Sequence, residues 1–343
     1  MSEVTPEELQ SRLALMEERR KHFEWKSENT NGRLQRHEVW RHAYLAYPYL
    51  IGTPEERVAA RFRDIFINQT ELGSNAKIGM LPVDSDQSFM AKFTHMLEEC
   101  GARYGGVPDA SVIQEARKPL LRYFENGDPI AVRIFERYTA PASPFLVKYG
   151  RREFLEPMLC EGRIRICPAS YYNNDGFLDA IRDDEVTRYF YIPTFRERLE
   201  GIHFMDFQGH RIDFGNDDIV LPVQMPDYYL LSLCNDIYYR MPTDFDADAA
   251  LVIRDPARFT QAVISNFLAR WPDWSPQDGP VTYYDPYLDY SKVRTPEMSK
   301  HFGYSYQREV RVAMLARRRP TMDLQPEFLT IGPMTDYAEL LSA

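Results

Sequence analysis

The chain has four cysteines, Cys100, Cys160, Cys167 and Cys234, and no two of them form a C-x-x-C pair. A thiolate zinc knuckle is therefore not indicated, and reduced, mostly buried thiols are expected. Phosphate-cradling glycine loops are missing as well. Neither G-x-G-x-x-G nor G-x-x-x-x-G-K-S/T occurs, which disfavours a doubly wound dinucleotide fold and a P-loop enzyme. His37-Glu38 lacks the second histidine of H-E-x-x-H, because position 41 is Arg41. Zinc-protease chemistry is out on that ground, and no other spacing argues for a metal. His203 and Asp206, three apart, would face opposite sides of a strand. Ser232 has no G-x-S-x-G elbow around it, which argues against a serine hydrolase. No apolar run is long enough to span a membrane, and the acidic opening MSEVTPEELQ has no apolar signal region, so a cytoplasmic chain is expected. Positive charge is in deficit, with 41 Lys and Arg against 51 Asp and Glu and a net charge of −10. A whole-surface grip on nucleic acid is not favoured, although RREFL from 151 and RRRP from 317 are local basic patches.

Aromatic residues, by contrast, are plentiful: 22 Tyr and 20 Phe, a ring supply suited to sheet faces and clefts. Up to about residue 140 the pattern is helical. Thr5-Pro6-Glu7-Glu8 supplies a cap, an N1 proline and an N3 carboxylate, and Thr53-Pro54-Glu55-Glu56 repeats that grammar. Ser85 is placed at the start of a third helix, with Gly101 as its stop. Asp109 to Phe124 and Ile130 to Tyr138 follow, with Pro119 as a bend or break in the first. TAPASP at 139–144 marks the boundary between a helical domain, 1–140, and a second domain, 141–343. Beyond it the periodicity shifts from 3.6 toward 2. Strands are predicted at Phe145 to Lys148, Arg163 to Cys167, Ile202 to Phe207, His210 to Phe214, Tyr228 to Cys234, Ala249 to Ile253, Val281 to Tyr284, Tyr304 to Leu315 and Phe328 to Ile331. Gln208-Gly209 is placed at a hairpin turn. Helices are predicted at 151–161 and 256–270. Strands and helices do not alternate regularly, so the class is α+β with mainly antiparallel pairing.

Two stretches carry the candidate chemistry. From Phe145, FLVKYGRREFLEPMLCEGRIRICPASYYNNDG sets Lys148 and Tyr149 at a strand end and Arg165 in a second strand. Tyr171, Tyr172, Asn173 and Asp175 follow in a polar, aromatic turn. Much later, YSYQREVRVAML alternates Glu309 and Arg311 on one strand face. Lys148 is suited to a phosphate as a point charge. Tyr171 and Tyr172 are suited to stacking on a base, and Asn173 to recognising an amide or hydroxyl. Each also has a plain reading. Lys148 fits a solvated strand end, N-N-D-G fits an Asx-type turn, and Ser232 fits a locally satisfied strand serine. Glu309 with Arg311 fits an exposed ion pair of small energetic weight. The segment WPDWSPQDGPVTYYDPYLDY reads either as a loop covering a cleft or gripping a partner, or as one packed on the body.

Lys148-Tyr149, Gly162, the run Pro168 to Asp175, Ser232 to Cys234 and the closing Tyr306-x-x-Glu309-x-Arg311 resemble the bacterial family catalogued as domain of unknown function 2971. The resemblance spans about residues 145–331. That family is in turn similar in layout to the ADP-ribosyltransferase superfamily. The resemblance implies a split, mainly antiparallel sheet with flanking helices, and NAD as substrate. It implies that the first-strand role falls to Lys148 or Tyr149, with Ser232 and Glu309 in the other two. Tyr149 is then placed with the catalytic residues, and Lys148, Arg165, Tyr171, Tyr172, Asn173 and Arg311 with those holding the dinucleotide. Lysine stands where those enzymes carry arginine or histidine. The activity implied is ADP-ribosyl transfer to a macromolecule, or NAD hydrolysis, in stress response, toxin action or phage defence. The competing expectation is a non-catalytic module that binds a nucleotide or a protein, with the helical half as a homo-oligomer interface.

Overall fold

The computed structural model describes residues 5–81, 87–106, 108, 110–195, 204–205, 208–212, 218–317 and 322–343. Ser85, Asp109, His203 and Asp206 lie outside them, as do the residues of the basic run that follow Arg317. The chain forms two compact units. The first gathers 1–69, 80–118 and 189–221, and the second 70–79, 119–188 and 222–343. Residues 119–140 thus cluster with the strand-rich part. No helix among the described residues is long and apolar enough to cross a membrane.

The first unit is built on α1 (Pro6–Asn29), α2 (Arg36–Ala46), α3 (Glu55–Asn68) and α4 (Gln87–Tyr104). The first capping signal works as written. The Thr5 hydroxyl accepts from Glu8 N, and Thr5 N donates to the Glu8 carboxylate. The second does not, because Thr53 is wholly buried and its hydroxyl donates to Asp218 at 3.1 Å, leaving Pro54 as an N-cap without a side-chain bond. Gly101 likewise stops nothing. It lies inside α4, which runs on to Tyr104, and the left-handed turn falls at Gly105 (φ +70°). Two buried carboxylates on α4 tie the helices together. Glu98 takes a two-pronged bond from Arg19 (2.6 and 2.8 Å) and another from Arg41, while Glu99 binds Tyr44 and Arg103. Arg103 also reaches the carbonyls of Leu50 and Thr53, at 2.7 and 2.8 Å. Helix α5 (Ala110–Leu121) carries Pro119 inside its last turn.

The second unit holds an eight-stranded sheet: β1 (Leu146–Gly150), β2 (Arg163–Pro168), β3 (Tyr229–Cys234), β4 (Ala249–Ile253), β5 (Trp274–Pro280), β6 (Glu309–Ala316), β7 (Glu327–Thr330) and β8 (Ala338–Ser342). Its described pairings are antiparallel, in the order β5-β6-β3-β1-β4-β8, and β2 joins β3 to β7 off that path. A separate two-stranded ladder, Thr282–Tyr284 with Ser299–His301, is parallel, so the unit as a whole is mixed. The sheet forks at β3. Cys234 at one end pairs with Val147 of β1, and Leu230 and Tyr229 at the other pair with Cys167 and Pro168 of β2. Between those contacts, the edge of β3 that faces the fork has no strand partner among the described residues.

One face of the sheet packs Leu231, Leu233, Val312 and Met314 against Leu155 of α6 (Arg152–Glu161) and Phe259 of α7 (Pro256–Arg270). The other face buries Val147, Tyr149, Ala250 and Val252 against Ile134 and Met241. Two predicted elements are corrected. The strand expected from Tyr304 starts only at Glu309. Before it, Phe302–Gln307 is a 3-10 helix, capped where His301 Nδ1 accepts from Gly303 N, and Arg308 turns the chain at φ +45°. A local side-chain cap here outweighs the strand preference of the tyrosines. The proline-rich aromatic segment is not a loop throughout. Its first part is β5, an edge strand, where proline is tolerated because an outward-facing N–H is not needed. Trp274 packs with Tyr229 and Phe267 in the core. In the first unit, the described residues on either side of Gln208-Gly209 form the expected antiparallel pairs, Phe204 with Ile212 and Met205 with Arg211, and Gly209 turns at φ +82°.

Candidate active site

A cleft of about 520 Å³ opens in the second unit over the fork of the sheet. Lys148 and Tyr149 reach it from β1, Ser232 and Cys234 from β3, and Glu309 from β6. Tyr172, Phe177, Leu178, Phe154 and Phe245 add apolar and aromatic lining. That volume suits a nucleotide-sized ligand. The register explains the convergence. Ser232 lies directly opposite Arg311, and Glu309 is one step along the same face, opposite Cys234. Residues 77 positions apart are thereby joined, with the Ser232 hydroxyl donating to Glu309 Oε1 at 2.6 Å.

Glu309 does not lie on a solvated face. It is 4% exposed and Arg311 is 0% exposed. Arg311 Nε donates to Glu309 Oε1 (2.6 Å) and Nη2 to Oε2 (3.3 Å). The same Nη2 donates to Glu185 Oε1 at 2.6 Å. Lys300 lies 3.4 Å from Glu309, 3.4 Å from Glu185 and 3.6 Å from Asp183. Arg188 completes the cluster, 3.1 Å from Glu185. Three acids and three bases thus share one buried network under the cleft. The Tyr283 hydroxyl accepts from Glu309 N at 2.8 Å, so one ring of the aromatic segment braces the strand backbone at Glu309 and is not part of the cleft lining.

The electrostatics follow from this packing. Burial opposes ionisation of Glu309 and Glu185, but Arg311 and Lys300 outweigh it, and both carboxyls are held below their ordinary range. Lys300 is displaced upward, since its three acids overcome its burial. Burial pushes the Cys234 thiol up to about 12, which leaves it a poor nucleophile. Lys148 is shifted down, chiefly by burial.

Asp183 is the exception among the acids, raised to about 7 by burial and by the nearby Glu185 charge. Below about pH 4 it is protonated in both the folded and the unfolded chain. From there to about pH 7 the unfolded chain releases the proton while the folded one keeps it, so this group's contribution to stability falls as pH rises. Asp183→Asn should therefore flatten that descent. In urea titrations its stability relative to the parent should rise by about 1 kcal/mol or more between pH 4 and pH 8. An equal offset at both pH values would contradict the assignment.

The other sequence candidates fall in different places. Tyr149 lines the cleft, but its hydroxyl is committed to backbone, donating to Asp236 O (3.3 Å) and accepting from Tyr238 N (3.0 Å). Tyr172 is in the wall. Arg165 and Tyr171 stack on each other, 4.9 Å from cation to ring, away from the cleft lining, and Asn173 is exposed beyond it. Arg311 sits beneath the cleft as the partner of Glu309 and Glu185, not on its surface. Glu185, Lys300 and Gln307 were not legible from the sequence, although all three line the cleft. Gln307 accepts from Lys300 (3.1 Å) and donates to Ala180 O (2.7 Å). The one available signal is an arginine in a strand rich in apolar residues, which needs a charged partner to be buried.

No family model matches this chain, and comparison with curated proteins and with solved structures gave no match. The resemblance read from the sequence rests on its own residues.

Proposed function

We propose that the second unit binds NAD in this cleft and breaks the bond between nicotinamide and ribose, passing ADP-ribose to water or to a macromolecular acceptor. The observation that carries this reading is the meeting of Lys148, Ser232 and Glu309, from three neighbouring strands, in one cleft. The fork at β3 also supports the split-sheet architecture that the ADP-ribosyltransferase resemblance implies. In this mechanism the electron pair of the C1′–N bond leaves with nicotinamide, and positive charge builds on the ribose ring. Glu309, kept ionised by Arg311 and Lys300, accepts from a ribose hydroxyl and stabilises that charge. Ser232 holds the carboxylate in position. Lys148 faces the pyrophosphate, and Tyr172 and Phe177 offer rings to a base. Water or the acceptor then adds at C1′ and loses its proton.

Incubation with NAD, followed by chromatographic measurement of free nicotinamide, tests the reading. Glu309→Gln should reduce release at least tenfold, the effect of roughly 1.4 kcal/mol of lost transition-state stabilisation. Circular dichroism establishes that the variant is folded, and Ser232→Ala, a milder change, should fall between the two. Equal release by parent and variant, or none by the parent, would overturn the reading.

A specific observation favours the second reading, a non-catalytic binding module. Both oxygens of Glu309 already accept from protein donors, and the Tyr149 hydroxyl is occupied. On that reading calorimetry detects nucleotide binding while nicotinamide release stays at background.

A further inference from the structure

Lys148 occupies an unusual position for a lysine. It sits mid-strand between Val147 and Tyr149, both buried. Its Nζ makes one hydrogen bond, to the carbonyl of Ser232 at 2.8 Å, in the fork where β3 lacks a strand partner. Among the described residues no carboxylate lies within 4.0 Å of it. Lys300, in the same cleft, has three acids within that distance. A half-buried lysine in a largely apolar cleft is ordinarily paired. Lys148 instead keeps two of its three donor positions without a protein acceptor, and it shares the cleft lining with Tyr172, Phe177, Leu178 and Leu230.

We propose that Lys148 is an imine-forming residue, whose ε-amine condenses with the carbonyl of a small, ring-bearing aldehyde held against the apolar walls of the cleft. The nitrogen lone pair attacks the carbonyl carbon to give a carbinolamine. The hydroxyl then departs as water with a proton from nitrogen, and a C=N bond remains. No oxidant or reductant takes part, and one water is released for each bond formed. A neutral amine is required, and burial favours that form at Lys148. Lys300 cannot react in the same way, because its three acids hold the proton on. The ring is gripped by Phe177 and Tyr172, and the Ser232 carbonyl steers the amine. This activity needs neither Glu309 nor NAD, but it uses the lysine that the dinucleotide reading sets against the pyrophosphate, so a bound dinucleotide would block it.

The test uses the full chain, pyridine-3-carboxaldehyde as probe and cyanoborohydride at pH 7, which reduces any imine to a stable secondary amine. Labelled lysines are mapped by peptide mass spectrometry over time. Lys148 should be labelled several-fold faster than the exposed Lys118, because burial favours its free amine, with Lys300 unlabelled. Phe177→Ala should slow labelling at Lys148 and leave Lys118 unchanged. Labelling of Lys148 no faster than Lys118 would overturn the proposal, and so would a rate at Lys148 indifferent to Phe177. The reaction contains no dinucleotide, so its result is independent of the nicotinamide assay.

Discussion

Replacing Arg311 with methionine should cost the second unit about 3–5 kcal/mol, the loss typical when one partner of a buried ion cluster is removed. Arg311 is fully buried and bridges Glu309 and Glu185, donating to each at 2.6 Å. Without it Glu309, Glu185 and Asp183 are left with Lys300 and Arg188 alone. Folded proteins hold a margin of only about 5–15 kcal/mol, so the variant should unfold at a much lower urea concentration. The sign of its pH response should also differ. In the parent, Glu309 and Glu185 titrate below their ordinary range, so their stabilising contribution is present above that range and lost as pH falls through the folded values. In the variant the arginine that lowers them is gone and burial pushes both upward, so the gap from the parent should narrow as the solution is acidified. Arg311→Lys keeps the charge but loses the planar fork, and should fall between the two. A loss below about 1 kcal/mol for the methionine variant would mean that this cluster does not organise the unit.

Gly162→Ala is expected to be nearly as damaging, for a steric reason. Gly162 closes α6 in the left-handed region, at φ +69° and ψ 25°. That conformation alone makes alanine unfavourable by about 1 kcal/mol. The larger difficulty is space, because a Cβ at this position would lie 2.0 Å from the backbone oxygen of Gly332 and 2.6 Å from its carbonyl carbon. Backbone cannot swing aside as a side chain can, and Ile331 N is tied to Gly162 O at 3.0 Å. Overpacking of this kind typically adds about 1–3 kcal/mol, so a total near 3 kcal/mol and a clearly lower melting temperature are expected. Gly105→Ala, in the first unit, is the control. Its φ is also positive, at +70°, but nothing lies within 4 Å of the added carbon, so only the conformational part should appear. Equal effects of the two substitutions would show that the crowding at Gly332 is relieved at little cost.

Much of the architecture was legible in the sequence because it depends on local rules. The Thr5 capping box, the helices over 152–161 and 256–270, and the apolar strands over 229–234 and 249–253 each follow from short-range pattern. What was lost depends on tertiary setting. The Thr53-Pro54 signal matches that of Thr5-Pro6, yet the Thr53 hydroxyl is taken by Asp218, far along the chain. Trp274–Pro280 was read as loop because of Pro276 and Pro280, and only its place at the rim of the sheet makes a strand of it. For the candidate site, alternation put Glu309 and Arg311 on one face but could not tell whether that face meets water. The partners that decide it, Glu185 and Lys300, sit in segments with no periodic or spacing signal. Lys148 and Glu309 stand out by residue type and strand position and Ser232 by resemblance, and the register between their strands brings them together. Arg165 and Asn173 sit on parts of the chain outside the cleft lining.

The two ends of the six-strand path in the main sheet have a bearing on how the protein behaves when crowded. A strand at the rim is an invitation to templated stacking by other chains. In β5, Pro276 and Pro280 are four positions apart and so withhold amide hydrogens from the same outward side, with Gly279 between them at φ +141°. An incoming chain would find that ladder broken at regular intervals. At the far rim β8 offers five residues, one of them the charged Glu339. Replacing both prolines with threonine would open the guarded rim, and concentrated solutions of that variant should turn turbid and bind amyloid dyes sooner than the parent.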